Sequence, residues 1–237
     1  MAQHHSPKIV TDGLALLLDS NNPKSYPGTG NTWYDLSNNG NHGTLYNFTG
    51  AGAGTTSGYD SNTGYMMFDR HVGASDGTAN NYVGVPNSDS LDQVLVTNGM
   101  TISFWFRMDT YACTALTKWS SSWEIYYCTT LVWRTNGTGG SDGNSGISYT
   151  VHQNKFHLIT ATHSGTERKF YINGELEYTN SNTVTSQNTT NTIGIGAYAG
   201  GSFSIQGALP FYSLYNRVLT PSEVLQNYNA MKGEFIS

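Results

Sequence analysis

Charge is what this sequence has least of. Asp, Glu, Lys and Arg make up 11% of its 237 residues, less than half the usual share, and 16 acids against 11 bases leave a net charge of −5. Without a basic excess, a protein that tracks nucleic-acid phosphates is not expected. No apolar run approaches the ~18 residues of a membrane span, so no membrane partner is expected either. The first residues, Met1 to Lys8, hold no apolar core of the kind a standard secretion signal needs. Cysteine is nearly absent. Cys113 and Cys128 cannot make a disulfide framework, and read either as one bridge between neighbouring strands or as two buried thiols. No Cys/His set has zinc spacing. His157 and His163 flank an apolar segment and read as strand residues. The sequons at Asn47, Asn136 and Asn188 arise readily by chance in a chain rich in Asn and Thr.

What is there is aromatic and small-polar. The apolar fraction is 37% and the aromatic fraction 13%, with 16 Tyr, 5 Trp and 27 Gly. That is enough for a folded core, in one large domain or two small ones. Short apolar runs separated by Gly, Asn, Ser and Asp clusters predict an all-β fold. Thr101 to Met108 alternates strictly, with Ile102, Phe104, Phe106 and Met108 on the core side. Trp105 then faces the other way, under a loop or lining a groove. Asn173-Gly174 predicts a type I′ hairpin that pairs Ile172 with Glu175 and Tyr171 with Leu176. Thr220-Pro221-Ser222-Glu223 predicts one capped helix, with a Leu219/Val224 staple, a stripe of Val224, Leu225, Tyr228 and Met231, and an end at Gly233.

The order of motifs resembles a known family. Gly13-Leu-Ala-Leu-Leu-Leu-Asp19, Thr32-Trp33-Tyr-Asp-Leu36, Thr101-Ile-Ser-Phe-Trp-Phe106, Phe170-Tyr-Ile-Asn-Gly174 and Leu214-Tyr-Asn-Arg-Val-Leu219 run on into Pro221 to Tyr228. Together they resemble laminin-G-like, concanavalin A-like jelly-roll domains. The resemblance implies a two-sheet antiparallel jelly-roll sandwich with one short C-terminal helix. It places the domain at residues 10–237, behind an N-terminal arm of residues 1–9. The opening around Pro23-Lys-Ser-Tyr-Pro27 looks like versions found in tailed-bacteriophage virion proteins. That likeness implies a multi-copy virion structural protein, assembled in the host cytoplasm, with other virion proteins as partners and host or environmental polysaccharide as a further one. Two departures stand out: Phe156 where relatives usually carry Trp, and Pro210 inside the last strand, where proline demands an edge or a bulge.

No catalytic set emerges, so no enzyme is expected. Glycoside hydrolysis needs two facing carboxyls. Glu175 and Glu177 are the only close Glu pair, and they follow a hairpin turn where solvated charges are common. There is no Gly-x-Ser-x-Gly elbow and no phosphate-cradling Gly-Lys-Ser/Thr. Asp142 and Asn144, in the stretch Gly140 to Gly146 read as a loop, can offer alternate oxygens to a hard cation such as calcium; Asp76 makes the same weak case. Ordinary turn chemistry accounts for these residues equally well. Trp119, Trp123 and Trp133, with Tyr126, are the candidates for glycan stacking, and Tyr127, Tyr198 and Tyr215 add to the supply, against the alternative that they fill the core or a subunit contact. A lectin-like adhesion module without a capsid is thus the second reading, and a glucanase-like hydrolase the third.

Overall fold

A strand with apolar residues on one face needs cover on one side; a strand apolar on both faces needs it on both. This chain contains both kinds, and their difference sets its architecture. The computed structural model describes residues 8–50, 52, 57–69, 81–92, 99–109, 114–118, 123–127, 129–135, 142–148, 153–181, 190–200 and 204–236. In chain order the first strands are β1 (Leu14–Asp19), β2 (Thr32–Trp33), β3 (Gly43–Tyr46), β4 (Gly58–Asp60), β5 (Tyr65–Phe68) and β6 (Tyr82–Val85). A single helical turn, α1 (Asp89–Asp92), precedes β7 (Met100–Met108), β8 (Thr114–Lys118), β9 (Trp123–Tyr127), β10 (Thr130–Thr135) and β11 (Asp142–Ser148). Then come β12 (His157–His163), β13 (Glu167–Ile172), β14 (Glu175–Ser181), β15 (Ile193–Ile195), β16 (Gly207–Tyr215) and helix α2 (Pro221–Phe235).

The strands form two antiparallel sheets of eight. The first runs β14-β13-β12-β7-β16-β5-β4, with β1 also on β16; the second runs β11-β10-β9-β8-β15-β6-β3-β2. This is the expected concanavalin A-like jelly-roll sandwich with a C-terminal helix. Between the sheets, Ile102, Phe104, Phe106 and Met108 of β7 meet Leu116, Trp123, Ile125, Leu131 and Trp133 of the second sheet. The hairpin register is as predicted, Ile172 opposite Glu175 and Tyr171 opposite Leu176. Asn173 and Gly174 take the positive φ values, 54° and 86°, that this turn demands.

Pro210 has a topological reason. The first part of β16 pairs with β5 through Gly207 and Ala208, and the last part pairs with β1 from Phe211 onward. The ladder to β7 shifts register between Ala208 and Phe211. Proline lacks an amide donor, and it sits where the strand exchanges one neighbour for another. Its carbonyl is still used, accepting from the Ser20 amide at 2.8 Å.

The outer face of the first sheet is apolar as well. Leu17, Trp105, Leu158 and Phe211 lie buried there under Met231 of α2. Trp105 stacks beneath Phe235 at 4.7 Å and near Tyr228 at 6.0 Å, so its cover is a helix rather than a loop. The capping box at Thr220 and Glu223 forms as predicted. Arg217, just past β16, donates to Glu223 at 2.6 Å and holds that carboxyl down to about 2, tying the helix start to the sheet. Two details of the predicted helix differ. Leu225 is 44% exposed, lying over the Asn173-Gly174 turn, and the buried position goes to Asn227. Gly233 does not end the helix, because Phe235 continues it onto Trp105 and Phe156.

Asn227 closes a buried cycle. The Val10 amide donates to Asn227 Oδ1 at 2.8 Å, Asn227 Nδ2 donates to the Tyr215 oxygen at 3.1 Å, and the Tyr215 hydroxyl donates to the Val10 carbonyl at 3.0 Å. One side chain thus joins the N-terminal segment, the last strand and the helix. Asn227→Ala leaves the Val10 amide without its acceptor, and a loss of about 2–3 kcal/mol is expected, read as a lower urea midpoint at unchanged slope.

His163 sits inside the sandwich end, opposite Arg168 in the β12–β13 ladder and 5.8 Å from the Trp133 ring. Burial, then the Arg168 charge, push its pKa down to about 4. The unfolded chain takes up this proton near pH 6.5 and the folded chain only near 4. The stabilisation is therefore complete above pH 6.5 and is lost as pH falls through that window, by about 2 kcal/mol at pH 5. The readout is the stability difference between the parent and His163→Leu at pH 7 and pH 5, which cancels other titrating groups. An equal difference at the two values would refute it.

Candidate functional site

Helix α2 closes one outer face of the sandwich; the outer face of the second sheet has no such cover among the described residues. Alternation decides what lies there. Trp123, Ile125, Tyr127, Leu131 and Trp133 point inward, which corrects the expectation that Trp123 and Trp133 stack on glycan: they are 2% and 0% exposed. The same alternation turns Glu124, Tyr126, Val132 and Arg134 outward. Tyr126 and Tyr198, both half-buried, are the described glycan candidates on this face, whereas Tyr127 and Tyr215 are buried in the interior. Trp119, Asp76, Cys113, Cys128, Asn136 and Asn188 lie outside the described residues.

The stretch read as a loop around Asp142 and Asn144 is instead largely strand β11, and this corrects the turn assignment. Asp142 pairs with Arg134 and Asn144 with Val132, at the edge of the outer face. Asn144 Oδ1 already accepts the Gly146 amide at 2.9 Å. Among the described residues no group of three or more His, Cys, Asp or Glu is arranged to hold a metal ion. Glu175 and Glu177 are both exposed on edge strand β14.

A row of ladder partners crosses this outer face. It runs from Thr32 to Thr44, Gly84, Gly194, Thr117, Glu124, Arg134 and Asp142. Two glycines form its middle. A Cβ on Gly84 would come within 3.0 Å of the Tyr46 ring, and one on Gly194 within 2.8 Å of the Ala199 amide. Small residues there let Tyr46 lie flat on one side and let the 197–199 segment fold down on the other.

Tyr46 and Tyr82, cross-strand partners on β3 and β6, stack at 4.8 Å with planes 13° apart, and Tyr46 is 44% exposed. About 14 Å away, three strand spacings across the sheet, lies a polar cluster. There Glu124 is buried outward of the core, receiving the Tyr198 hydroxyl on one oxygen and Arg134 Nη1 on the other at 3.3 Å. Arg134 Nη2 donates to the Tyr126 hydroxyl at 3.2 Å, and its guanidinium lies 4.9 Å from the Tyr126 ring centre. Burial, then the bond to Glu124, raise the Tyr198 pKa well above the ordinary tyrosine value, so it stays a donor. The result is two half-exposed aromatic surfaces, with hydroxyl and guanidinium groups held in fixed directions between them. Sequence reasoning reached Tyr126 and Tyr198 as aromatics but missed Glu124, Arg134, Tyr46 and Tyr82. The available signal was alternation: once Trp123 and Trp133 are taken as core, Glu124 and Arg134 must share the opposite face.

Comparison with known proteins places the fold. The profile of the Concanavalin A-like lectin/glucanases superfamily matches residues 76–225. No curated protein matches the sequence. Among solved structures, one from work on botulinum neurotoxin type C and its interaction with two ganglioside molecules aligns at TM-score 0.64 and 17% identity. It covers 94% of this chain and 52% of that one. The binding domain of Paraclostridial Mosquitocidal Protein 1 aligns at 0.62 and 18%, covering 93% and 52%. This chain thus spans about half the length of those structures. Domain 4 of an extracellular arabinanase from Geobacillus stearothermophilus, in complex with arabinotriose, aligns at 0.58 and 16%, covering 91% of this chain and 98% of that domain. These neighbours are toxin binding domains and a domain of a polysaccharide-degrading enzyme. They overturn the expectation of a tailed-bacteriophage virion protein, and with it the virion partners and the virion location.

The Glu124 cluster also bears on stability. Arg134→Met removes a cation from a buried carboxylate; the arginine side chain is 32% exposed, so a discounted loss of about 2 kcal/mol is expected rather than the full cost of a buried pair. Adding Glu124→Gln should restore most of it. A double variant no more stable than Arg134→Met, in chemical denaturation, would contradict the charge assignment.

Proposed function

This chain belongs to the Concanavalin A-like lectin/glucanases superfamily, and from that premise we propose that it is a non-catalytic, lectin-like module that binds oligosaccharide on the outer face of its second sheet. The observation that carries the reading is the pairing of the Tyr46/Tyr82 stack with the Tyr198–Glu124–Arg134–Tyr126 cluster across a glycine floor. A sugar ring is apolar on its C–H faces and polar at its rim. Aromatic rings cover the former at small entropic cost, and fixed donors and acceptors meet the latter. The span of about 14 Å between the two parts suits a short oligosaccharide lying across the strands better than a single ring.

The arabinanase domain supports this reading, because the fold match takes in nearly its whole length and that domain holds arabinotriose. Ganglioside recognition, as described for the neurotoxin, is the weaker guide, since this chain matches only about half of that structure. Asn144, bordering the same face on β11, is proposed as part of its polar rim rather than as a calcium ligand.

Calorimetric titration with arabino-, xylo- and gluco-oligosaccharides and with ganglioside headgroup glycans tests the proposal. Binding to a neutral oligosaccharide is expected, strengthening up to about three sugar units. Tyr46→Ala should weaken it about tenfold, or 1.4 kcal/mol. Tyr198→Phe should weaken it without unfolding the protein. Absence of binding across the panel, or binding that neither substitution changes, would overturn the reading.

A further inference from the structure

The opposite side of the molecule holds a second feature that the saccharide reading leaves unused. Between helix α2 and the outer face of the first sheet lies a cleft of about 390 Å³. That is within the size range of small-molecule sites. Its walls are mainly apolar, from Leu14, Leu17, Leu36, Phe211 and Met231. Three charged groups line it: Asp19 from the end of β1, Glu234 from α2, and Lys8 from the N-terminal segment.

We propose that this cleft binds a small amphipathic cation, an amine carrying an apolar body. The two carboxylates give the lining a net charge of −1 against the single Lys8 ammonium. Neither Asp19 nor Glu234 takes part in any described ion pair, although arginine and lysine elsewhere in the chain are paired with acids. Asp19 Oδ1 accepts the Asn21 amide at 3.0 Å, which fixes the carboxyl but does not neutralise it. Burial, then the Glu234 charge, raise Asp19 to about 6, the behaviour of a carboxylate partly withdrawn from water with no cation to offset its charge. A cationic head set between Asp19 and Glu234 supplies that offset, and an aliphatic or aromatic body covers the leucines and Phe211.

Other occupants fit less well. A hard divalent cation wants six or more oxygens, and two carboxylates among hydrocarbon walls do not supply them. A sugar would leave its hydroxyls unpaired against leucine. A neutral apolar molecule would leave the acids desolvated and gain nothing from them.

The inference does not rest on the saccharide proposal, and its test is separate. The 237-residue chain is titrated calorimetrically at pH 7.5 with hexylammonium, 1-hexanol and hexanoate, three probes of similar length and different head charge. Hexylammonium is expected to bind at least tenfold more tightly than hexanol, with hexanoate weakest. Asp19→Asn, which keeps a side-chain oxygen for the Asn21 amide, should weaken the amine at least tenfold. Glu234→Gln, at an exposed helix position, should weaken it severalfold, and Tyr46→Ala should leave it unchanged. Equal binding of amine and alcohol would overturn the proposal. So would amine binding that neither acid substitution alters. Binding that appears only after residues 1–7 are removed would assign the cleft to the chain's own N-terminal segment, and would overturn it as well.

Discussion

The docking of α2 onto the first sheet is the constraint from which the rest follows. Strands β1, β7, β12 and β16 are apolar on both faces, and a sandwich covers only one of them. Trp105, Leu158, Leu17 and Phe211 must therefore be shielded by something outside the sandwich. The helix supplies that shield, and the Val10–Asn227–Tyr215 cycle fixes its position from inside the contact. A polar side chain at the centre of an apolar seam specifies one seating of the helix, because any slip leaves buried donors and acceptors unpaired.

Covering one sheet leaves the other's outer face without a helix over it. With the helix over much of the first sheet, the second sheet's outer face is, among the described residues, a broad surface free of core packing. The low charge of the chain then takes on a definite meaning. Tyrosine, glycine and a few well-anchored ionic groups make a face that offers flat apolar area and directed hydrogen bonds with little charge to desolvate. Glu124 illustrates this: it is buried yet outside the core, and it serves to aim Tyr198 and Arg134 rather than to present charge to solvent.

Much of the fold was readable along the chain. The alternation of Thr101 to Met108, the Asn173-Gly174 register and the Thr220 capping box are each set by neighbours within a few residues, where stereochemistry leaves few choices. Leu225 and Gly233 show where that logic stops. A helical stripe gives the angle of a face but not which neighbour it meets, and the real contacts exposed Leu225, buried Asn227 and carried the helix past Gly233 to Phe235. The likeness to phage proteins failed for a related reason. A loop motif near Pro23 carries little information about partners, whereas more than nine-tenths of the chain aligned with solved structures of another kind.

Sequence by itself determined the period of each strand, the tight turns, the helix start and the sandwich class, because these depend on local sterics and on burying apolar residues two apart. It also determined that Trp123 lies on the same side of its strand as Ile125, and Trp133 on the same side of its strand as Leu131. Only the tertiary structure decided which side that was. It set the indoles in the core and so turned Glu124, Tyr126 and Arg134 outward. It brought Tyr198, 74 residues from Glu124, over the same face, since strand order across a sheet is fixed by packing between segments that no local pattern records.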